Sequence, residues 1–186
     1  MCGKLYSYDT PIENHLNRDI APYLDAINID LKAFSEKSCK SVCGTRLAPV
    51  LETIQLMKTL GVWVEVTTLI IPGLNDGSSE LQDIARFINS VGLEIPWHVS
   101  RFYPAYQMLD RPQTPLETLN LACDIGREEG LQYVYQGNVP TEEGENTYCH
   151  NCGRRVIERY GLQRIKNHLE KGKCPDCGTK LAGVLM

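Results

Sequence analysis

Two short cysteine motifs near the C-terminus carry the residue types best suited to chemistry. Cys149 and Cys152 lie in Cys-His-Asn-Cys-Gly, and Cys174 and Cys177 lie in Cys-Pro-Asp-Cys-Gly, with 21 residues between the motifs. A C-x2-C-G turn can present two thiolates to one ion, so two such turns predict a tetrahedral four-sulfur site. The protein fills every coordination position, which predicts a structural metal. Zinc is the expected ion, and iron held as in rubredoxin is the open alternative.

The residues around these motifs support metal binding. Eight cysteines could form disulfides in a secreted protein, but paired C-x2-C motifs without a signal-peptide pattern favour a metal site. His150 and His168 are expected to stay outside the ligand set, because four cysteines already complete it. The metal is expected to hold together a tail that is too short to build a core unaided.

Asp30 and Lys32 are the second candidate pair. They end an otherwise apolar segment, and because side chains alternate along a strand they should share one face. Charges in such a place are costly unless they are paired or functional. The residues alone leave open a salt bridge at the strand end and a ligand-binding pair. His98, in a later apolar segment, is expected to be a packed core histidine.

The elements that would position these groups alternate between strand and helix. β-branched runs predict strands, and apolar residues at helical spacing predict helices, with Ser78 or Ser79 as the cap of one helix. This alternation predicts a parallel α/β sheet or barrel, with chemistry at the carboxyl ends of the strands. The predicted strands are Ala26–Phe34, Val62–Ile71, His98–Pro104 and Leu131–Gly137, and the predicted helices are Leu47–Leu60, Ser78–Val91 and Leu116–Glu129.

A polar segment, Pro140–Asn146, separates two predicted domains, residues 1–140 and residues 141–186. From Cys149 onward there are 8 Lys/Arg and 3 Asp/Glu, a net charge of +5, whereas the first 148 residues carry 11 and 20, a net charge of −9. The basic tail is expected to be a solvated face and not a nucleic-acid site, because few aromatic residues accompany the charges. No apolar run reaches the roughly 20 residues needed to cross a bilayer, so a cytoplasmic protein without membrane contact is expected.

Several segments in order resemble radical S-adenosylmethionine (SAM) enzymes, in particular the radical SAM enzyme of the AmmeMemoRadiSam system, a relative of the pyruvate formate-lyase activating enzymes. The resemblance runs from about Pro22 to the C-terminus. It implies the later strands of a partial (β/α)6 barrel followed by a zinc-ribbon-like module. The segments are YLDAINIDLKAF, CGTRLAPVLETI, VWVEVTTLIIPGLND, HVSRFYPAY and YVYQGNVP with NTYCHNCG.

The resemblance also implies a set of SAM ligands. Asp30-Leu31-Lys32 is similar to the Asp-Leu-Lys of the activating enzymes, whose acid and lysine contact the amino-acid end of SAM. A carboxylate facing an ammonium and an ammonium facing a carboxylate match that zwitterion. By the same resemblance Thr67 lies on a SAM-binding strand, and Tyr106 lies near a position where the relatives carry a histidine. No catalytic residue is assigned.

One family feature is missing. The family holds a 4Fe-4S cluster with C-x3-C-x2-C after its first barrel strand, and three thiolates leave one iron open to SAM. Only Cys2 precedes Asp30, and Arg46 stands where Cys39 and Cys43 would need a third cysteine. These two are expected to be reduced, partly exposed thiols. The chain as given is therefore expected to generate no radical, either as a fragment or as a short protein that keeps the SAM-side half.

A half-barrel would leave two sheet edges open. The chain is therefore expected to form an oligomer or to need a partner, such as a chain that carries the missing half, and a protein substrate is a further possible partner. Two other functions are open. One is a zinc-ribbon module that binds protein or nucleic acid, and the other is a pseudoenzyme that regulates a complete relative.

Overall fold

The computed structural model describes residues 5–8, 14–139, 144–161 and 163–184. Five parallel strands form the larger sheet, and their spatial order follows their order in the chain. The predicted parallel α/β arrangement is confirmed. The strands are β1 (Leu5–Tyr8), β2 (Ala26–Asp30), β3 (Trp63–Ile70), β4 (Trp97–Arg101) and β5 (Val134–Gly137).

Helices connect the strands of this sheet. A 3-10 turn, Ala21–Tyr23, follows α1, and a π-helical turn, Cys39–Cys43, follows α2. Parallel strands need such crossovers because one strand ends at the opposite edge from where the next begins. The helices are α1 (Asn14–Ile20), α2 (Glu36–Ser38), α3 (Leu47–Thr59), α4 (Ser78–Val91) and α5 (Leu116–Glu128).

The two faces of the larger sheet differ in polarity. Burial alternates along β3, so that Val64, Val66 and Ile70 are buried while Glu65 and Thr67 on the other face are half-buried. The buried face packs against α3, α4 and α5 in one apolar core. The second face is therefore the one that offers polar side chains to a ligand.

Close packing of α5 on the sheet depends on a glycine. A Cβ at Gly126 would lie 2.9 Å from Val134 Cγ2 and 3.0 Å from Trp97 Cε3, well inside van der Waals contact. The helix can therefore approach β4 and β5 only because this position has no side chain. Trp97, which the glycine faces, is fully buried.

A smaller antiparallel sheet follows and consists of β6 (Thr147–Tyr148), β7 (Arg155–Tyr160) and β8 (Gln163–Asn167). We call residues 144–161 and 163–184 the four-cysteine module. Its core combines module residues with Tyr133, which comes from the chain just before β5. The Ala182 N–H also donates to the Tyr133 hydroxyl at 3.1 Å. The domain boundary at residue 140 lies outside the described residues and stays a prediction.

Several local predictions differ from the structure. The cap at Ser78 or Ser79 is wrong, because Gly77 is the N-cap of α4 and no side chain caps it. The first predicted strand ends at Asp30 instead of Phe34, because the Phe34 N–H turns away to donate to the Glu80 carboxylate at 2.7 Å. The sequence pattern also does not predict β1 or α1. Both elements are short, and they depend on tertiary contacts, of β1 with β2 and of α1 with α3.

Among the described residues, no helix combines the length and apolar character needed to cross a membrane.

A buried asparagine joins the carboxyl ends of β2 and β3. Asn75 is 2% exposed, and its Oδ1 accepts from the Ile71 N–H at 2.7 Å. Its Nδ2 donates to the Lys32 carbonyl at 2.6 Å and to the Leu69 carbonyl at 2.8 Å. One side chain therefore satisfies three main-chain groups and holds the Lys32 backbone beside the end of β3.

We expect Asn75→Ala to lower the free energy of unfolding by about 3 kcal/mol, because it leaves buried main-chain groups without partners. Urea denaturation measures this as a lower midpoint at an unchanged slope. The matched control is Asn120→Ala on the exposed face of α5, which should change stability by less than about 0.5 kcal/mol. Equal losses in the two variants would show that Asn75 is not a structural anchor.

Candidate functional site

The four cysteines of the two motifs converge. The sulfur atoms of Cys149, Cys152, Cys174 and Cys177 all lie within 4.8 Å of one another, and the Cys149–Cys177 and Cys152–Cys174 sulfur pairs are each 3.6 Å apart. A tetrahedral zinc site with bonds of about 2.3 Å places its sulfurs about 3.8 Å apart, whereas a disulfide needs about 2.05 Å. The spacing therefore fits four thiolates around one metal ion.

The two cysteine turns have the same main-chain geometry. In each, the first cysteine donates its N–H to the carbonyl five residues later and accepts from the glycine N–H four residues later, at 2.8 to 2.9 Å. Gly153 and Gly178 close the turns with φ of 74° and 71°, a left-handed conformation that glycine adopts without strain. This is why the motif needs a glycine directly after its second cysteine.

The surroundings act differently on two of the sulfurs. A main-chain hydrogen bond at Arg154 lowers the pKa of the Cys152 thiol, but the neighbouring cysteine sulfurs outweigh it and raise that pKa to about 12. The hydrogen bond between Thr179 and Cys177, 3.2 Å long, lowers the pKa of the Cys177 thiol to about 5. Metal ligation requires thiolates, so this bond assists binding. An ion pair between Arg154 and Asp176 joins the two turns from outside.

Neither nearby histidine belongs to the sulfur cluster. His150 packs edge-on against Tyr133 with ring centroids 6.1 Å apart, and His168 Nε2 lies 2.8 Å from Glu158 Oε1. Among the described residues, the four cysteines are the one group of three or more potential ligands that converges. Four sulfurs suit zinc and iron alike, so their geometry leaves the choice between the two ions open.

The structure brings Asp30, Lys32 and Thr67 to one region at the carboxyl ends of β2 and β3. Lys32 Nζ lies 2.9 Å from Asp30 Oδ2, with side chains 35% and 11% exposed. Asp30 pairs in register with Thr67, whose hydroxyl accepts from Asn28 Nδ2 at 2.9 Å. The salt bridge is thus present, and a ligand-binding role for the pair stays a prediction.

The fourth predicted SAM contact is more exposed. Tyr106 lies beyond the end of β4, is 87% exposed and has a positive φ of 51°. Its hydroxyl accepts a hydrogen bond from Gln107 Nε2 at 3.4 Å. The structure thus places Tyr106 on the surface, and its contact with SAM stays a prediction.

Cys39 and Cys43, which form the C-x3-C pair, match the prediction of partly exposed thiols only in part. Cys39 is buried at 4% exposure, its sulfur lies 3.6 Å from the Ala33 carbonyl oxygen, and burial raises the pKa of its thiol to about 11. The prediction of partial exposure is wrong for Cys39 because the turn after α2 packs it into the core, whereas Cys43 is half-buried. Neither joins a group of converging ligands among the described residues.

A groove of about 1060 Å³ lies between the polar face of the larger sheet and the four-cysteine module. At its base, His98 Nε2 lies 2.8 Å from Glu65 Oε2, and the Trp63 indole N–H donates to Glu65 Oε1 at 3.0 Å. Burial raises the pKa of Glu65, but the hydrogen bonds from His98 and Trp63 outweigh that effect and lower it. Sequence reasoning missed Glu65, although a single acid within a β-branched strand is the signal that could have found it.

Aromatic and hydrogen-bonding side chains connect the sheet to the module. His98 stacks on Tyr135 with centroids 5.2 Å apart, and the Arg159 guanidinium lies 5.5 Å from the centre of the Tyr135 ring. Arg159 also donates to the Thr147 hydroxyl at 2.5 Å, and that hydroxyl bonds Tyr135 at 2.9 Å. The module therefore forms one wall of the groove.

We expect the chain to contain about one metal ion, and we expect Cys174→Ser to lose it, because a serine hydroxyl is a poor substitute for a buried thiolate. Elemental analysis after dialysis measures the metal, and a visible thiolate–iron colour separates iron from colourless zinc. The matched control is Cys43→Ser, which lies outside the cluster and should keep the ion. A metal content near zero in the unmodified chain would contradict the four-sulfur site.

No family model matches this chain. An uncharacterized protein of Methanocaldococcus jannaschii is 50% identical to it over 165 residues, which are 87% of this chain and 49% of that protein. The chain thus spans about half the length of the curated relative it matches.

Two solved structures are similar in fold. One is a domain of a pyruvate-formate lyase-activating enzyme from Bacteroides vulgatus, with a TM-score of 0.61 and 13% identity over 73% of this chain and 81% of that one. The other is a radical SAM methyltransferase from Sphaerobacter thermophilus, with a TM-score of 0.58 and 16% identity over 73% and 40%. At these identities the likeness concerns the fold alone. The chain therefore has a radical SAM-like α/β fold, followed by a module whose four cysteines could bind a metal.

Proposed function

We propose that this chain is the SAM-binding portion of a radical SAM activase-type protein, of the kind found in the AmmeMemoRadiSam system. The observation that carries the proposal is the Asp30–Lys32 pair at the carboxyl edge of a radical SAM-like sheet. In α/β sheets and barrels, ligands bind at that edge. The two solved structures that share this fold are a domain of a pyruvate-formate lyase-activating enzyme and a radical SAM methyltransferase.

The charges of the pair match those of an amino acid. On SAM binding, the Asp30 carboxylate accepts from the ammonium group of SAM, and the Lys32 ammonium pairs with the carboxylate of SAM. Asp30 and Lys32 then no longer pair with each other, and each has an oppositely charged group of SAM as its partner. Asp30 is nearly buried, and hydrogen bonds to charged groups in such places contribute about 1.5–3 kcal/mol each. Asn75 holds the Lys32 backbone in place before the ligand arrives.

Two further contacts complete the proposed SAM site. Thr67 faces the groove beside Asp30 and can offer its hydroxyl to SAM. Tyr106 is proposed as an outer contact from the segment that follows β4. Because Tyr106 is exposed, its contribution depends on that segment closing over the ligand.

The cysteines of this chain do not fit the 4Fe-4S cluster of the family. The sequence contains no C-x3-C-x2-C motif, and Cys39 and Cys43 do not converge with a third ligand among the described residues. We therefore propose SAM binding, and not radical generation, for the chain as given. The outer edge of β1 is the proposed place for a second copy or a partner chain, because on β5 the Gln136 N–H already donates to the Gly144 carbonyl at 2.9 Å.

The four-cysteine module is proposed to hold a structural zinc ion. With all four positions occupied by thiolates, the ion has no open site for a substrate. Its role is to fold β6, β7 and β8 against Tyr133 and Tyr135. We place the protein in the reducing cytoplasm, where such thiolates stay available.

We expect SAM to bind the purified chain and Asp30→Asn to weaken binding at least tenfold, equivalent to about 1.4 kcal/mol, because the ammonium loses its charged partner. Isothermal calorimetry measures both affinities. The matched control is Asp124→Asn on the exposed face of α5, which should bind SAM like the unmodified chain. Equal affinity in the Asp30 and Asp124 variants would refute the assignment. Absent SAM binding combined with salt-sensitive RNA binding would favour the nucleic-acid alternative.

We also expect the chain, treated with iron, sulfide and dithionite, to release no 5′-deoxyadenosine from SAM, because it lacks the three cluster thiolates. Chromatography of the reaction mixture measures the product. A complete radical SAM enzyme treated in parallel is the positive control. Product above the level of a protein-free blank would contradict the proposed division between binding and radical generation.

A further inference from the structure

The Glu65–His98 pair at the base of the groove is not explained by SAM binding at the strand ends. The sequence predicts a packed core histidine at His98, but its side chain is 29% exposed and lines the groove. The buried face of β4 is formed instead by Trp97 and Val99, which are fully buried. The side chain is satisfied, as predicted, by Glu65, but its predicted place in the core is wrong, because the alternation along β4 turns His98 to the open side of the sheet.

The hydrogen bond with Glu65 determines which of the two ring nitrogens of the neutral His98 imidazole carries the hydrogen atom. An ionised carboxylate can only accept, so the His98 nitrogen that faces it, Nε2, carries the proton. The lone pair of the neutral ring is then on Nδ1. Among the described residues, Nδ1 has no hydrogen-bond partner, so it can accept a hydrogen bond from a molecule in the groove.

The surroundings hold this ring in place without blocking it. Tyr135 stacks on one side of His98, and Trp63 fixes the second carboxylate oxygen of Glu65. Arg159 on the module lies over the Tyr135 ring. The pair is thus fixed by β3, β5 and β7 together, which is the kind of support that a ligand-contacting group requires.

We propose that the groove is a second binding site, for a small polar molecule that carries an N–H or O–H donor, and that His98 Nδ1 accepts that donor. When the ligand gives up a proton, Nδ1 takes it, and the Glu65 carboxylate neutralises the resulting imidazolium. The site does not depend on SAM binding, because none of its contacts involves Asp30 or Lys32. Thr67 borders both regions, so a molecule in the groove would lie beside the proposed SAM site.

Carbethoxylation tests whether Nδ1 is an accessible base. Diethyl pyrocarbonate reacts with an unprotonated imidazole nitrogen, releasing ethanol and carbon dioxide, and peptide mass spectrometry separates His98 from the other three histidines. We expect His98 to react readily and Glu65→Gln to slow it several-fold, because the amide NH2 can also donate to Nε2, which moves the ring proton to Nδ1. The matched control is Glu158→Gln, which changes the second carboxylate–histidine pair and should leave the His98 rate unchanged.

Two small molecules of similar size, one with a hydrogen-bond donor and one without, test whether His98 Nδ1 binds a donor group. We expect propionamide, which has N–H donors, to shift the His98 Nδ1 resonance in nitrogen NMR spectra of the unmodified chain and not of Glu65→Gln. Methyl acetate, similar in size but without a donor, should leave the resonance in place. An unreactive His98, or equal shifts with the two probes, would overturn the second site. Because neither readout uses SAM, these results are independent of the calorimetric test of Asp30.

Discussion

The alternation of side chains along the parallel strands is the constraint on which the rest of the structure depends. Because of it, the side chains of Val64, Val66 and Ile70 in β3 pack against the helices, whereas those of Glu65 and Thr67 lie on the opposite face of the sheet. Burial of the first set stabilises the sheet, since each large aliphatic side chain contributes about 1.5–3 kcal/mol when removed from water. The same strand can therefore provide core residues and ligand-binding residues without conflict.

Two buried polar side chains, which we call the polar anchors, hold the carboxyl ends of β2 and β3 in place. Asn75 holds the Lys32 backbone against the end of β3, and Thr68 donates to the Leu31 carbonyl at 2.9 Å while it accepts from the Trp97 indole. Both anchors are buried, so their loss would leave main-chain groups without water or protein partners. They make the carboxyl edge of β2 and β3 rigid where the proposed SAM contacts lie.

The four-cysteine module forms one wall of the groove and also brings together four cysteines that could bind a metal. Its two cysteine turns converge on one point, and the strands of the module place Arg159 and Thr147 against Tyr135. A small module of this kind has little apolar area of its own, and its core is completed by Tyr133 from the chain just before β5. The cysteine turns and the wall of the groove therefore belong to one packed unit.

Local patterns in the sequence determined much of this protein. The spacing of Cys149, Cys152, Cys174 and Cys177 predicted that the four cysteines converge, and apolar periodicity predicted α4 from Ser78 to Val91. Each cysteine turn and the helix depend on neighbours a few residues apart. Only the tertiary structure decided the pairing of β1, the burial of Cys39 and the meeting of Glu65 with His98. The last contact joins residues 33 positions apart, and the others depend on packing against distant segments. No short-range pattern records which distant side chains the sheet will bring together.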